Sequence, residues 1–120
     1  VLVVEDEVLI RLYIADELRL AGFTVIEAAH ADEALAYLDA GGEADLVFTD
    51  VHMPGALNGV DLARRLRDRY PALPVIITSG KLGRGEVAEL GAFIPKPYQP
   101  DGVIDAIMRA VGRRPPVDDE

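Results

Sequence analysis

The chain of 120 residues contains no cysteine, which removes disulfides, thiolate metal sites and cysteine nucleophiles from consideration. It also lacks any apolar run near the roughly 18 residues that a membrane span needs, and its N-terminus lacks the basic flank of a signal peptide. A soluble cytoplasmic chain, with no membrane contact, is expected. Basic residues are scarce as well: 12 Lys and Arg stand against 21 Asp and Glu, for a net charge of -9. Phosphate backbones are held by clustered Lys and Arg, so direct nucleic-acid contact by this domain is not expected.

What is present is a chain that is half apolar, long enough for one domain with a sizeable core. Five short apolar runs read as strands: Val1 to Val4, Phe23 to Glu27, Leu46 to Thr49, Pro74 to Thr78 and Phe93 to Pro95. Between them, apolar residues recur at helical spacing, as in Ile10, Ile14, Leu18 and Ala21, then Ala34, Leu35 and Leu38, then Leu62, Ala63 and Leu66. Gly22 and the Gly41-Gly42 pair end the first two helices. A closing helix is expected from Val103 to Val111, with 1–112 as the domain and 113–120 as a tail or linker. The chain begins in strand one without an initiator Met, and reads as an ordered fragment of something longer.

Strands alternating with helices imply right-handed crossovers and a parallel sheet. Pro95 cannot donate to a sheet ladder, so its strand belongs at an edge. The doubly wound order 2-1-3-4-5 puts strand five there and places the switch point between strands one and three.

Four of the apolar runs deliver a polar group at or just past their ends: Glu5-Asp6, Asp50, Thr78 and Lys96. Parallel strands gather their carboxyl ends at one edge, so these residues would share a crevice although they are far apart in sequence. Each alone has a bland reading, as a helix start, a turn residue, a loop entrance or a surface charge. Together they supply what phosphoryl transfer uses: a carboxylate nucleophile, further acids, a hydroxyl and an ammonium. Carboxylates about 4 Å apart repel by up to ~4 kcal/mol per pair at an effective dielectric of 20, and a divalent cation would relieve that.

The motifs Val-Leu-Val-Val-Glu-Asp-Glu, Thr49-Asp50-Val51-His52-Met53-Pro54, Thr78-Ser79-Gly80 and Lys96-Pro97 together resemble the receiver domain of two-component response regulators, over nearly the whole chain. The resemblance implies a flavodoxin-like receiver fold and a phosphorelay switch in which Asp50 takes a phosphoryl group from a histidine kinase or histidine phosphotransfer protein. It implies Mg²⁺ held by Asp6 and Asp50 directly, by Glu5 through water and by the backbone carbonyl of His52. Lys96 and Thr78 would contact the phosphoryl oxygens, and Thr78 with Phe93 would carry the change to an output domain or protein target. Such a domain catalyses its own phosphoryl transfer and dephosphorylation without independent turnover.

The chain departs from the family's usual pattern in three places. Glu5 stands where aspartate is commoner, and the Pro54 to Gly59 loop is one residue longer. The stretch from Thr78 to Lys96 is shorter by roughly one helical turn, and with Gly80, Gly83 and Gly85 it predicts a shortened helix-four region between 79 and 90. Two other readings compete. A haloacid-dehalogenase-like phosphatase shares the aspartyl nucleophile, but it would carry a second aspartate where His52 stands. A phosphorylation-independent interaction module would not require the complete set of acids, hydroxyl and lysine.

Overall fold

The computed structural model describes residues 1–51, 58–80 and 91–112. Expectations for His52, for most of the helix-four region (81–90) and for the 113–120 tail lie outside the described residues. The elements run β1 (Leu2–Val4), α1 (Val8–Leu20), β2 (Ile26–Ala28), α2 (Ala31–Asp39), β3 (Val47–Asp50), α3 (Gly59–Arg69), β4 (Val75–Ser79), β5 (Ala92–Pro95) and α4 (Pro100–Val111). All strand pairs are parallel, in the order β2-β1-β3-β4-β5. Sequence reasoning anticipated this order, including the edge position of Pro95. The Lys96 amide donates to the Ser79 carbonyl at 3.0 Å, so by alternation the nitrogen of Pro95 faces the open edge, where no ladder donor is needed.

The sheet divides the core in two. On one side Leu2, Val4, Val47 and Ile77 pack with Leu35 and Leu38 of α2 and Leu62 and Leu66 of α3. On the other, Val3, Phe48 and Ile76 pack with Ile14 and Leu18 of α1 and Val103 and Ile107 of α4. The alternation of Val47 and Phe48 between the two clusters is the period-two signature of a strand buried on both faces. Burial of each such side chain contributes about 1.5–3 kcal/mol, which makes these layers the main support of the strand ends.

Two boundaries differ from the sequence reading by three residues, the others by one at most. The second strand begins at Ile26 instead of Phe23, because the end of α1 captures the intervening backbone. The Phe23 amide donates to Leu18 at 3.0 Å and the Gly22 amide to Arg19 at 3.0 Å, with Gly22 at φ 98°. This is the Schellman pattern, in which only glycine adopts the left-handed turn cheaply. The closing helix starts at Pro100 instead of Val103. Proline fits the first helical turn, where its missing N–H would be unsatisfied anyway, and Asp101 favours the positive end of the helix dipole.

Helix α3 begins with a reciprocal cap: Asp61 N–H donates to Asn58 Oδ1 at 2.9 Å and Asn58 N–H to Asp61 Oδ2 at 3.3 Å. Its first residue, Gly59, sits so close to β3 that an added Cβ would lie 2.0 Å from the Asp50 carbonyl oxygen. The Gly59 amide donates to Val51 at 2.9 Å. Glycine thus lets α3 approach the residue at the centre of the polar edge.

Candidate functional site

The carboxyl ends of β1, β3, β4 and β5 bring Glu5, Asp6, Asp50, Thr78 and Lys96 to one edge of the sheet. Asp50 is the last residue of β3 and pairs in register with Thr78 of β4. Its carboxylate is fixed at both oxygens: Oδ1 accepts from the Val51 amide at 2.7 Å and Oδ2 from Lys96 Nζ at 3.0 Å. Lys96 follows β5 across a cis peptide to Pro97 and spends a second donor on Glu5 Oε1 at 3.2 Å. The other Glu5 oxygen accepts from the Glu7 amide at 3.1 Å.

Burial separates these groups from ordinary surface charges. Glu5 is 3 % exposed and Asp50 6 %, while Asp6 is half-buried. Burial raises the Glu5 pKa, the Glu7 amide opposes that, the Asp50 charge adds to it, and Lys96 offsets only part. Burial also disfavours the Lys96 ammonium, but its hydrogen bond to Asp50 and the charges of Asp50 and Glu5 prevail and its pKa is raised. Tyr98, edge-on to Phe48 with ring centroids 5.6 Å apart, has a phenol pushed up to about 12, first by burial and then by the Glu5 charge.

One ammonium facing three carboxyl groups leaves the pocket net acidic. Oxygen atoms from Glu5, Asp6 and Asp50 all lie within 4.8 Å of one another. Hard oxygen donors at this spacing suit a hard divalent cation, and two or three carboxylates leave coordination positions for water or for substrate oxygens. Thr78 Oγ1 is the buried side-chain oxygen that finds no hydrogen-bond partner among the described residues. An unsatisfied buried hydroxyl costs about 1–3 kcal/mol and marks a place where an acceptor would be welcome.

Of the candidates singled out from sequence, Glu5, Asp6, Asp50, Thr78 and Lys96 therefore share one edge, with two distinctions to draw. Glu5 is more deeply engaged than Asp6, holding both Lys96 and the Glu7 amide. Phe93 stands on β5 opposite Ile77 and is half-buried against the cluster of α2 and α3. Sequence reasoning missed Arg11, whose Nη1 donates to the Glu5 carbonyl at 2.9 Å. Its signal was a basic residue four positions after Glu7, on the helix that leaves the acidic motif.

Three acids, a lysine and an unsatisfied threonine thus gather at the switch point of a 2-1-3-4-5 sheet, the kinds of group that phosphoryl transfer uses. The family model of the response regulator receiver domain matches residues 1–108, and the chain belongs to that family. It is 39 % identical over 104 residues to the sensor kinase CckA of Brucella abortus, spanning 82 % of this chain but 11 % of that protein. It is 34 % identical over 119 residues to the chemotaxis protein CheY1 of Helicobacter pylori, covering 92 % of this chain and 95 % of the other. The receiver domain of NtrX from Brucella abortus superposes with a TM-score of 0.83 at 36 % identity, covering 94 % and 98 % of the two chains. The chain is thus a receiver domain, a phosphorylation-accepting switch of two-component signalling. The dehalogenase-like alternative finds no support among these relatives.

Proposed function

We propose that Asp50 is the phosphoacceptor and that Glu5, Asp6 and Asp50 hold Mg²⁺, with a histidine kinase or histidine phosphotransfer protein as donor. The observation that carries this reading is Lys96 Nζ, which bridges Asp50 at 3.0 Å and Glu5 at 3.2 Å at the carboxyl edge of the sheet. Bound Mg²⁺ would screen the phosphoryl oxygens and let a carboxylate approach phosphorus.

The chain's own groups divide the remaining work. The Val51 amide on Oδ1 fixes the plane of the Asp50 carboxylate, so the attacking oxygen is oriented before the donor arrives. Lys96 exchanges its contact with Asp50 Oδ2 for a phosphoryl oxygen, and the energy of a charge-assisted hydrogen bond follows the transferred group. Thr78 Oγ1, one strand away and unpartnered among the described residues, turns to another phosphoryl oxygen. The new group carries about -1.5 to -2 charges near neutral pH and three acceptor oxygens, enough to draw both groups toward it.

The Thr78 movement would be transmitted through Phe93, which lines a groove of about 680 Å³ with Ala106, Arg109 and Ala110 of α4. An output domain or protein target would read that face. We take 1–112 as the receiver domain, 113–120 as its tail or linker, and the cytoplasm as its compartment. Among the described residues no helix is long and apolar enough to cross a membrane.

The test is incubation with a small phosphodonor and Mg²⁺, followed by mass-spectrometric location of the label. Asp50 carries it in the wild type, and Asp50→Asn takes up none. Equal labelling of Asp50→Asn, or of wild type in EDTA, would contradict the assignment.

A further inference from the structure

We infer that Arg11 is a positioning residue for the acidic pocket, acting on Glu5 from outside it; this rests on the reading of Glu5, Asp6 and Asp50 as a Mg²⁺ site. Arg11 lies one turn into α1, where its amide donates to the Glu7 carbonyl at 2.9 Å. Its side chain is 16 % exposed. Nη1 donates to the Glu5 carbonyl at 2.9 Å and Nε to Glu27 Oε1 at 3.2 Å. The second Glu27 oxygen is held by Arg19 Nη1 at 3.1 Å, and Arg19 Nη2 donates to the Val25 carbonyl at 3.1 Å.

Glu5 is consequently held at every polar atom of its backbone and side chain. Its amide donates to Ala28 of β2 at 3.0 Å, its carboxylate accepts from the Glu7 amide and Lys96, and its carbonyl accepts from Arg11. Of these partners, Lys96 is the one that shifts when it exchanges Asp50 for a phosphoryl oxygen, on the mechanism above. The Arg11 contact is the side-chain restraint that can stay unchanged throughout. Restraint of this kind matters because the Glu5 carboxylate must keep its oxygens near those of Asp6 and Asp50 against their mutual repulsion.

An arginine suits this task better than a lysine. A planar fork reaches a carbonyl and a carboxylate in fixed relative directions, whereas an ammonium is a point charge on a flexible stem. Glu27 sets the fork's orientation from β2, so the edge strand and the first helix together aim the Glu5 peptide.

Charge and position make opposite predictions here. Removing a cation close to an acidic pocket should tighten Mg²⁺ binding if Arg11 acted only through its field, and weaken it if Arg11 acts by holding Glu5. Titration of MgCl₂ into wild type, Arg11→Ala, Arg11→Lys, Glu27→Gln and Arg19→Gln, followed by calorimetry and by the Glu7 amide resonance, separates the two. We expect about tenfold weaker binding in Arg11→Ala, in the range usual for loss of an outer-shell partner, with an upfield shift of the Glu7 amide as its bond to Glu5 loosens. Arg11→Lys and Glu27→Gln should weaken binding by intermediate amounts, and they carry the same readouts should Arg11→Ala not fold. Arg19→Gln, which touches Glu27 but not Glu5, should bind Mg²⁺ like wild type. Unchanged or tighter binding in Arg11→Ala, or equal weakening in Arg19→Gln, would overturn the role. Failure of the wild type itself to bind Mg²⁺ would instead sink the site reading on which it rests.

Discussion

A cation shared by two carboxylates and a carboxylate shared by two donors can be compared directly. At the sheet edge Lys96 bridges Asp50 at 3.0 Å and Glu5 at 3.2 Å. On the outside, Asp39 of α2 accepts from Arg69 at 2.7 Å and from the Tyr70 hydroxyl at 2.7 Å, tying α2 to the end of α3. The surface contacts are the shorter, yet they are the less consequential. Arg69 and Asp39 are 47 % and 45 % exposed in their side chains, against 22 % and 8 % for Lys96 and Asp50. Water and salt substitute for a partner at the surface; in the buried cluster nothing does except a ligand. Environment, not distance, separates a staple from a reactive site.

The largest effect should come from Lys96→Ala. Removing one partner of a buried ion cluster typically costs about 3–5 kcal/mol, and partial exposure of the lysine places the expected loss near the lower end, about 3 kcal/mol in EDTA. Urea unfolding measures it, and added Mg²⁺ should restore part of the loss. A cost no greater than that of Arg69→Ala would erase the contrast between the clusters.

Gly59→Ala comes next. Alanine is normally favoured over glycine in a helix by about 1 kcal/mol, but here its Cβ would sit 2.0 Å from the Asp50 carbonyl. We expect a net loss of about 1–3 kcal/mol, as for overpacking in a core, together with reduced phosphorylation. A stabilised variant with normal phosphorylation would show that α3 can withdraw without disturbing Asp50.

Glu5→Gln should act in the opposite direction. Because burial raises the folded pKa of Glu5 above 4.5, the folded state binds the extra proton, and stability falls as pH rises from that value through the folded one. The neutral variant escapes this loss, so its metal-free midpoint at pH 7 should exceed that of wild type, while its Mg²⁺ affinity falls. Melting curves between pH 4 and pH 8 would reveal whether the gap opens upward, as expected, or stays constant.

Asp39→Asn should have the smallest effect. The Tyr70 hydroxyl, then Arg69, holds the Asp39 pKa below 3.8, and Asp39 raises the pKa of Tyr70 above 10.0. The staple's contribution is therefore lost as pH falls through the depressed value of Asp39 and as it rises through the raised value of Tyr70. Between those limits, Asp39→Asn should melt within a degree or two of wild type and keep full phosphorylation.

The contrast also explains what was legible in the sequence. Asp6, Asp50, Thr78 and Lys96 could be placed together because each ends an apolar strand, and strand ends of a parallel sheet meet. Pro95 located the edge for an equally local reason, its missing donor. Register and depth were not legible in this way. That Glu5 sits deeper than Asp6, or that Lys96 reaches both Glu5 and Asp50, depends on how β1 and β5 are held by β3 and β4. Asp39 was invisible because its partners lie 30 or more residues away, beyond the reach of helical or strand periodicity, and Arg11 was passed over because Glu27, which orients it, lies 16 residues away. The early start of α4 and late start of β2 were missed because capping chemistry at Pro100 and Gly22 overrode the apolar pattern.

Thermal melting with and without Mg²⁺, on wild type, Asp39→Asn and Asp50→Asn, tests the central claim most directly. A cation that binds only the folded site stabilises it according to its concentration over its dissociation constant. The account predicts that saturating Mg²⁺ raises the midpoint of wild type and of Asp39→Asn equally, and that of Asp50→Asn far less. A wild-type midpoint indifferent to Mg²⁺, or an equal rise in Asp50→Asn, would contradict it.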